Sequence, residues 1–410
     1  MHKKSKLKSA VMFMLFMSTC GQVDASNMNT SIESQHTAPK ATEVEAKGRF
    51  WDLPYLEKAF ITPKPEENKD GITVGKLDLN NTSKAGIMNF ATAIAENKYG
   101  QYDSLLISHK GKLVFESYYH RGRVDLPHDQ ASAAKAYTSL LLGRAMQLGY
   151  LSMADLHKPL VHFLKELDTE QLVKGAENIT LHKVLTMRSG LKIHQEKADE
   201  LSKRHSQLSS TVVNRVHGQG FVQELLVHSK PITPASQSFV YGNYNPTLVM
   251  QVIAALVPGN VDKFIENELL DKLGITDYRW MTAISGLPEA GWRVSLKSRD
   301  MMKLAELVRN DGNWQGEQLI PVVYLDKATQ KLTKPVSDWI PKHYSYGYFW
   351  YQTDVDINDR SYSTHIAWGG GGQRLIIVKE LDLTIVTTGH DADDRIFEHI
   401  AKSVIPAFVL

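Results

Sequence analysis

Strand periodicity occurs at two places far apart in this chain, with a long helical stretch between them. That arrangement limits the possible folds more than any other feature. Asp103–His109 and Lys112–Tyr119 alternate in β-rich fashion around Lys110-Gly111, which reads as a hairpin. Near the other end, Tyr344–Gln352, Ser361–Trp368, Gln373–Lys379 and Leu383–Thr388 carry the same period, and a helix follows from Asp394 to Val404. Between them the pattern is helical from Leu151 to Leu307. Ile179–Leu185 reads as a short capped helix ending near Ser189-Gly190, and Asn245–Leu256, Val261–Leu273 and Ser298–Asn310 read as longer helices. Asn81-Thr82-Ser83 caps another helix running to Asn97, whereas residues 192–240 are polar without a clear period. Strands at both ends of a helical middle predict an α/β (α+β) fold. It has one antiparallel sheet flanked by helices, with a mainly helical region inserted over about 150–310.

The 410 residues suffice for more than one core, or for one core with a large insertion. Formal net charge is +2, but Lys3, Lys4, Lys6 and Lys8 crowd the N-terminus, and beyond residue 25 the tally is 43 basic against 44 acidic side chains. That balance gives no electrostatic case for nucleic acid. Residues 1–25 read as a signal peptide, with a basic start and an apolar stretch from Ala10 to Met17 that is too short to span a bilayer. Val23-Asp24-Ala25 offers a cleavage site, while Met17-Ser18-Thr19-Cys20 resembles a lipobox that would lipidate Cys20. Either ending implies export, to the periplasm or to a membrane anchor. Cys20 is the sole cysteine, so no disulfide can form within the chain. Residues 26–48 read as a flexible tether, 49–82 as a segment wrapping the surface, and 49–408 as the catalytic domain.

Ser132-Ala133-Ala134-Lys135 opens a helical run in which Tyr137, Leu141, Ala145 and Leu148 recur at helical spacing up to Gly149. A serine at a first helical turn meets the positive end of the helix dipole and backbone N–H groups without helical partners. A lysine three residues on lies on the same face. Burial would lower its pKa and let it accept the serine proton. Tyr241-Gly242-Asn243 supplies a second cluster: a cation beside Tyr241 would favour its phenolate, and Asn243 could hold the lysine and a substrate carbonyl. The third is His365 to Gln373, with four glycines at 369–372 between two strands. Such glycines let a ligand approach the backbone and let a strand N–H complete an oxyanion hole. A phosphate loop would need a helix after the glycines, and Leu375–Val378 reads as a strand. Asp354–Asp359 departs from a calcium loop, lacking glycine at the sixth place and an acid at the twelfth, and reads as a hairpin tip. The 16 histidines contain no His-Glu-x-x-His, so no metal or other cofactor is expected. Asp391, Asp393 and Asp394 read as caps of the last helix, and Arg374 as a solvated strand residue that could alternatively bind an acid group.

Ser-x-x-Lys, Tyr-x-Asn and a glycine-rich strand, in that order, resemble the serine β-lactamase and penicillin-binding-protein superfamily. The branch is similar to class C-type β-lactamase-related hydrolases, including esterases, D-aminopeptidases and 6-aminohexanoate-dimer hydrolase. The likeness covers about residues 100–408. It extends to Ile179–Leu191, Ser298-Arg299-Asp300, Asn310–Trp314, Gln318–Pro321, Tyr346–Trp350 and the Gly-Gly-Gln at 371–373. It implies acyl transfer through a serine ester, with Ser132 as nucleophile and Lys135 and Tyr241 moving its proton. The backbone N–H groups of Ser132 and of Gly370 or Gly371 would hold the oxyanion. Asn243, Trp368 and Gly369 would contact a small-molecule amide or ester. Many β-lactamases and DD-peptidases carry Lys-Thr-Gly where this chain has Ala367-Trp368-Gly369, and Gly242 replaces a usual serine. Amide or ester hydrolysis therefore ranks above cell-wall DD-peptidase or β-lactamase activity, and above a catalytically silent binding protein of the same fold.

Overall fold

The computed structural model describes residues 37–206 and 218–409. The signal segment with Cys20, the start of the predicted tether (26–36) and residues 207–217 lie outside the described residues. Eight strands form the main sheet: β1 (Phe60–Thr62), β2 (Tyr102–His109), β3 (Lys112–Tyr118), β4 (Ser345–Tyr346), β5 (Tyr351–Ile357), β6 (Arg360–Gly369), β7 (Gln373–Val378) and β8 (Leu383–Gly389). Their order is β1-β3-β2-β8-β7-β6-β5-β4, antiparallel throughout. The two strand-rich ends of the sequence meet at the β2–β8 seam, where Leu383 faces His109 and Val386 faces Leu106. The β2–β3 hairpin closes on Lys110 and Gly111, both at positive φ (53° and 74°), the turn whose twist matches the flanking strands. β8 is buried along its whole length; Thr387 donates to the Gly372 carbonyl and Thr388 pairs with Ser104.

Six helices bear on the sheet and the site: α1 (Asn81–Ala95), α2 (Ala134–Gln147), α3 (Leu181–Leu185), α4 (Tyr244–Leu256), α5 (Ser298–Arg309) and α6 (Ile396–Ser403). Asn80 caps α1, and Ile87, Phe90, Ala91 and Ile94 form its buried stripe. α2 is buried from Ala134 to Met146 rather than along one stripe, and Leu148 lies partly exposed beyond its end. α4 packs against both α2 and α3, which surrounds the front of α2 with apolar side chains.

Several segments differ from the sequence expectation. Residues 37–48 are not a loose tether: Thr42 and Glu45 make a capping box on a helix at Glu43–Lys47, and Glu45 pairs with buried Arg123 at 2.7 Å. Phe60–Thr62, expected to wrap the surface, joins the sheet edge. α5 packs across β8, β7 and β2, so the sheet's own helical layer begins by Ser298. Tyr344–Gln352 breaks into β4 and β5, which pair with each other across a turn at 347–350, where the Gly347 N–H donates to the Trp350 carbonyl, Phe349 stands at φ +65° and Gly347 packs against the Ala328 carbonyl. The region 192–240 contains helices at Gln195–Ser206 and Gly220–Val227. His128–Asp129, Val294–Leu296 and Arg279–Trp280 form a separate three-stranded ribbon, and this brings residues 289–294 to the start of α2.

Candidate active site

Ser132 sits in a 3-10 turn, Ala131–Ala133, that runs directly into α2. The turn is entered through Ala131 at φ +45°, a left-handed conformation costly for a residue with a Cβ. Its neighbours over-determine it. The Ala131 N–H donates to Asp129 Oδ1 at 2.7 Å, and the Gln130 N–H donates to the Val294 carbonyl. The buried Gln130 side chain donates to the His128 carbonyl and accepts from the Tyr137 hydroxyl, each at 2.7 Å. Ser132 is thereby held half-exposed at the N-terminal end of a buried helix.

Lys135 Nζ lies 3.0 Å from Ser132 Oγ and 3.0 Å from the Gly291 carbonyl oxygen. The side chain is 1% exposed. Burial pulls its ammonium down to about 7, and the nearby Glu289 carboxyl opposes this only in part. Glu289 is itself pushed up to about 7 by burial, against the pull of Arg293, Trp292 and Lys135. The backbone here is clamped: Trp280 Nε1 donates to the Glu289 carbonyl and Thr138 Oγ1 to the Ala290 carbonyl.

Tyr241 closes the other side of the lysine, with its ring centroid 4.9 Å from Lys135 Nζ. Burial raises its pKa, and the neighbouring Ser132 and Tyr351 hydroxyls offset this only partly. The expected lysine-favoured phenolate is therefore corrected: the ring is desolvated, and Tyr241 holds its proton at neutral pH. Asn243 stands exposed at the N-terminus of α4, with its Oδ1 close to Gly291. A cleft of about 350 Å³ opens beside it, walled by Leu201, Phe221, Ile284 and Trp292, with Glu289 and Asn243 as polar lining.

The glycine strand faces the serine turn directly. A Cβ on Gly369 would meet the Gln130 carbonyl at 2.2 Å and the Ala133 nitrogen at 3.1 Å. The β5–β6 ladder ends at Tyr351–Ile366, which leaves the edge of β6 from Ala367 onward unpaired by β5. Gly370 and Gly371 differ. Gly370 is exposed with open space beside its α-carbon. Gly371 sits at φ +88° and accepts the Asp391 N–H on its carbonyl. Gln373 fixes the peptide between them by donating to the Gly370 carbonyl at 3.2 Å. Trp368 belongs to an aromatic group with Trp339, Tyr344 and Tyr351, and Trp339 in turn touches Tyr241.

Ser132, Lys135 and Tyr241 are thus within reach of one another, with Asn243 beside the Gly291 backbone that anchors the lysine and the glycine strand against the serine turn. Sequence reading missed Gly291, Glu289 and Gln130, because no local motif marks a carbonyl that anchors a lysine 156 positions away. It also misplaced Arg374. That side chain is 2% exposed and ion-paired to Asp394, so it is neither solvated nor open to a substrate acid.

The family model described as Beta-lactamase matches residues 101–397. No curated protein sequence matches the chain. Among solved structures, a Bacillus anthracis protein described as a "putative 6-aminohexanoate-dimer hydrolase" aligns with a TM-score of 0.59 at 18% identity, covering 83% of this chain and 85% of its own. A D-stereospecific amidohydrolase from Streptomyces sp. aligns with 0.57 at 14%, covering 78% and 98%. A class C beta-lactamase aligns with 0.56 at 13%, covering 80% and 95%. At these identities the likeness is one of fold.

Proposed function

The chain belongs to the Beta-lactamase family, and from that premise we propose that it is an exported serine hydrolase cleaving an amide or ester through an acyl-Ser132 intermediate. The observation that carries this is Lys135: a buried amine with its pKa near 7, 3.0 Å from the Ser132 hydroxyl. Neutral Lys135 takes the serine proton as Oγ bonds to the substrate carbonyl carbon. The resulting oxyanion is met by the Ser132 N–H and a glycine-strand N–H, which we assign to exposed Gly370, next to the edge of β6 that β5 leaves unpaired, rather than to Gly371. The carbon–leaving-group bond then breaks, and the leaving group carries off a proton from Lys135 through the still-protonated Tyr241. Water repeats the sequence on the ester, releasing the acid and restoring Ser132. Export rests on the basic and apolar leader at residues 1–25, with Cys20 as the candidate lipid anchor.

Amide or ester hydrolysis is favoured over β-lactam chemistry because Ala367, a buried residue, stands where a carboxylate-binding lysine would be. The cleft beside Asn243 mixes apolar walls with Ser202, Asn243, Thr247 and Glu289, and among the described residues offers no basic side chain for a substrate carboxylate. A fluorophosphonate should label Ser132, read by mass spectrometry of the mature protein, which also reports the cleavage point and any lipid on Cys20. Labelling should vanish in Ser132→Ala. Modification at another residue, or tight ligand binding without acylation across an ester and amide panel, would reject the hydrolase reading. Stable labelling by a fluorescent penicillin would move the assignment to a cell-wall peptidase or β-lactamase.

A further inference from the structure

Arg374 is a buried cation placed against the backbone of the glycine strand. Its Nη1 donates to the Gly369 carbonyl at 2.7 Å and to the Gln373 carbonyl at 2.9 Å. Its Nη2 is held by Asp394, and its guanidinium carbon lies 4.6 Å from the Trp368 ring centroid. A surface arginine would spread its charge into water. This one is fixed by a carboxylate, a ring and two carbonyls, and its most direct effect is on the Gly369–Gly370 peptide.

We infer that Arg374, braced by Asp394, is a positioning residue that orients and polarises the Gly369–Gly370 peptide so that the Gly370 N–H becomes the strong oxyanion donor. A trans peptide is planar, with its C=O and N–H pointing to opposite sides. Anchoring the Gly369 carbonyl on the buried guanidinium therefore directs the Gly370 N–H to the opposite side of that peptide. A charged donor on the carbonyl oxygen also draws electron density across the amide, strengthening the hydrogen bond that its N–H can give. The next peptide is fixed separately, by Gln373 on the Gly370 carbonyl. The Gly371 and Gly372 carbonyls are held in turn by the Asp391 N–H and the Thr387 hydroxyl, so each peptide of the turn has its own anchor, and Arg374 is the one on Gly369–Gly370. Family resemblance marks the glycines but gives Arg374 no role. The inference rests on the serine-hydrolase reading.

The test uses the full mature chain with a fluorophosphonate as the acylating probe and phenylboronic acid as a tetrahedral-adduct mimic. In Arg374→Gln the maximal phosphonylation rate should fall about 10- to 100-fold, somewhat less than deleting an oxyanion donor outright. The probe concentration for half-maximal rate should stay within about twofold, because ground-state contacts are untouched. Phenylboronic acid affinity should fall in parallel, and the acid limb of the pH profile should keep its midpoint, since Lys135 is not altered. Should Arg374→Gln fail to fold, Asp394→Asn keeps the guanidinium but loosens it, and should show a smaller loss of the same kind. An unchanged maximal rate in whichever variant folds overturns the role, as does a loss confined to the half-maximal concentration. If wild-type protein is not modified at Ser132, the hydrolase reading itself fails; if it is modified and the variants match it, only the role of Arg374 fails.

Discussion

The proton affinity of one lysine sets how this site responds to pH. In the proposed mechanism Lys135 must be neutral to accept the serine proton, and burial brings its titration down to about 7. Acylation of Ser132 should therefore rise with pH through an apparent midpoint near 7, with no loss from Tyr241 until well above neutrality, because its pKa is raised. Glu289 titrates in the same range, so the midpoint belongs to the pair. Removing its charge in Glu289→Gln should move the limb to lower pH, because that carboxylate holds the lysine proton on. Lys135→Ala should cost at least about 100-fold in phosphonylation rate. The same burial acts on stability. Between about 7 and 10.5 the unfolded chain binds a proton at Lys135 that the folded chain does not, so this residue makes stability increase as pH rises across that window.

At the scale of an element, α2 shows how tightly the serine is backed. Gly143 is packed so closely that a Cβ would lie 2.6 Å from Ile320 Cγ2 and 2.8 Å from the Tyr324 ring. Helix propensity favours alanine there, but overpacking wins: Gly143→Ala should lose about 1–3 kcal/mol in urea unfolding. From sequence this glycine is only a weak point in a helix, because what it touches comes from the distant segment 319–325. The hairpin at Lys110-Gly111, the strands of the C-terminal meander and the first turn of α2 were legible, since local period and turn chemistry specify them. The break at Gly347 and the docked helix at Glu43–Lys47 were not, because tertiary contacts decide them. The site divides the same way. Ser132, Lys135 and Tyr241 announce themselves through short spacings, whereas Gly291 acts through its carbonyl, and a backbone atom leaves no mark on a sequence. Arg374 was read as solvated because a charged strand residue usually is, and its buried partner Asp394 lies 20 residues on.

Across the whole molecule, a few buried charges fasten the sheet to the segments around it. Arg299 on α5 lies 2.8 Å from Asp70 and 3.2 Å from Glu116, joining the chain ahead of α1 to β3. Arg299→Ala would leave Glu116 buried without its cation, and should cost about 3–5 kcal/mol by denaturant titration at neutral pH. Asp103 does a similar task nearer the site. Its carboxylate is fully buried, yet hydrogen bonds from His128 and His390 outweigh that burial and hold it ionised. His128 Nε2 is 3.1 Å away and His390 Nδ1 is 2.8 Å away. One histidine leads into the Ser132 turn, and the other follows β8 beside the glycine loop. A single carboxylate thus rivets the approach to the Ser132 turn to the chain leaving β8, and neither can come loose on its own account. Amide hydrogen exchange should find residues 128–133 and 388–391 opening as one cooperative unit, with Asp103→Asn speeding both together.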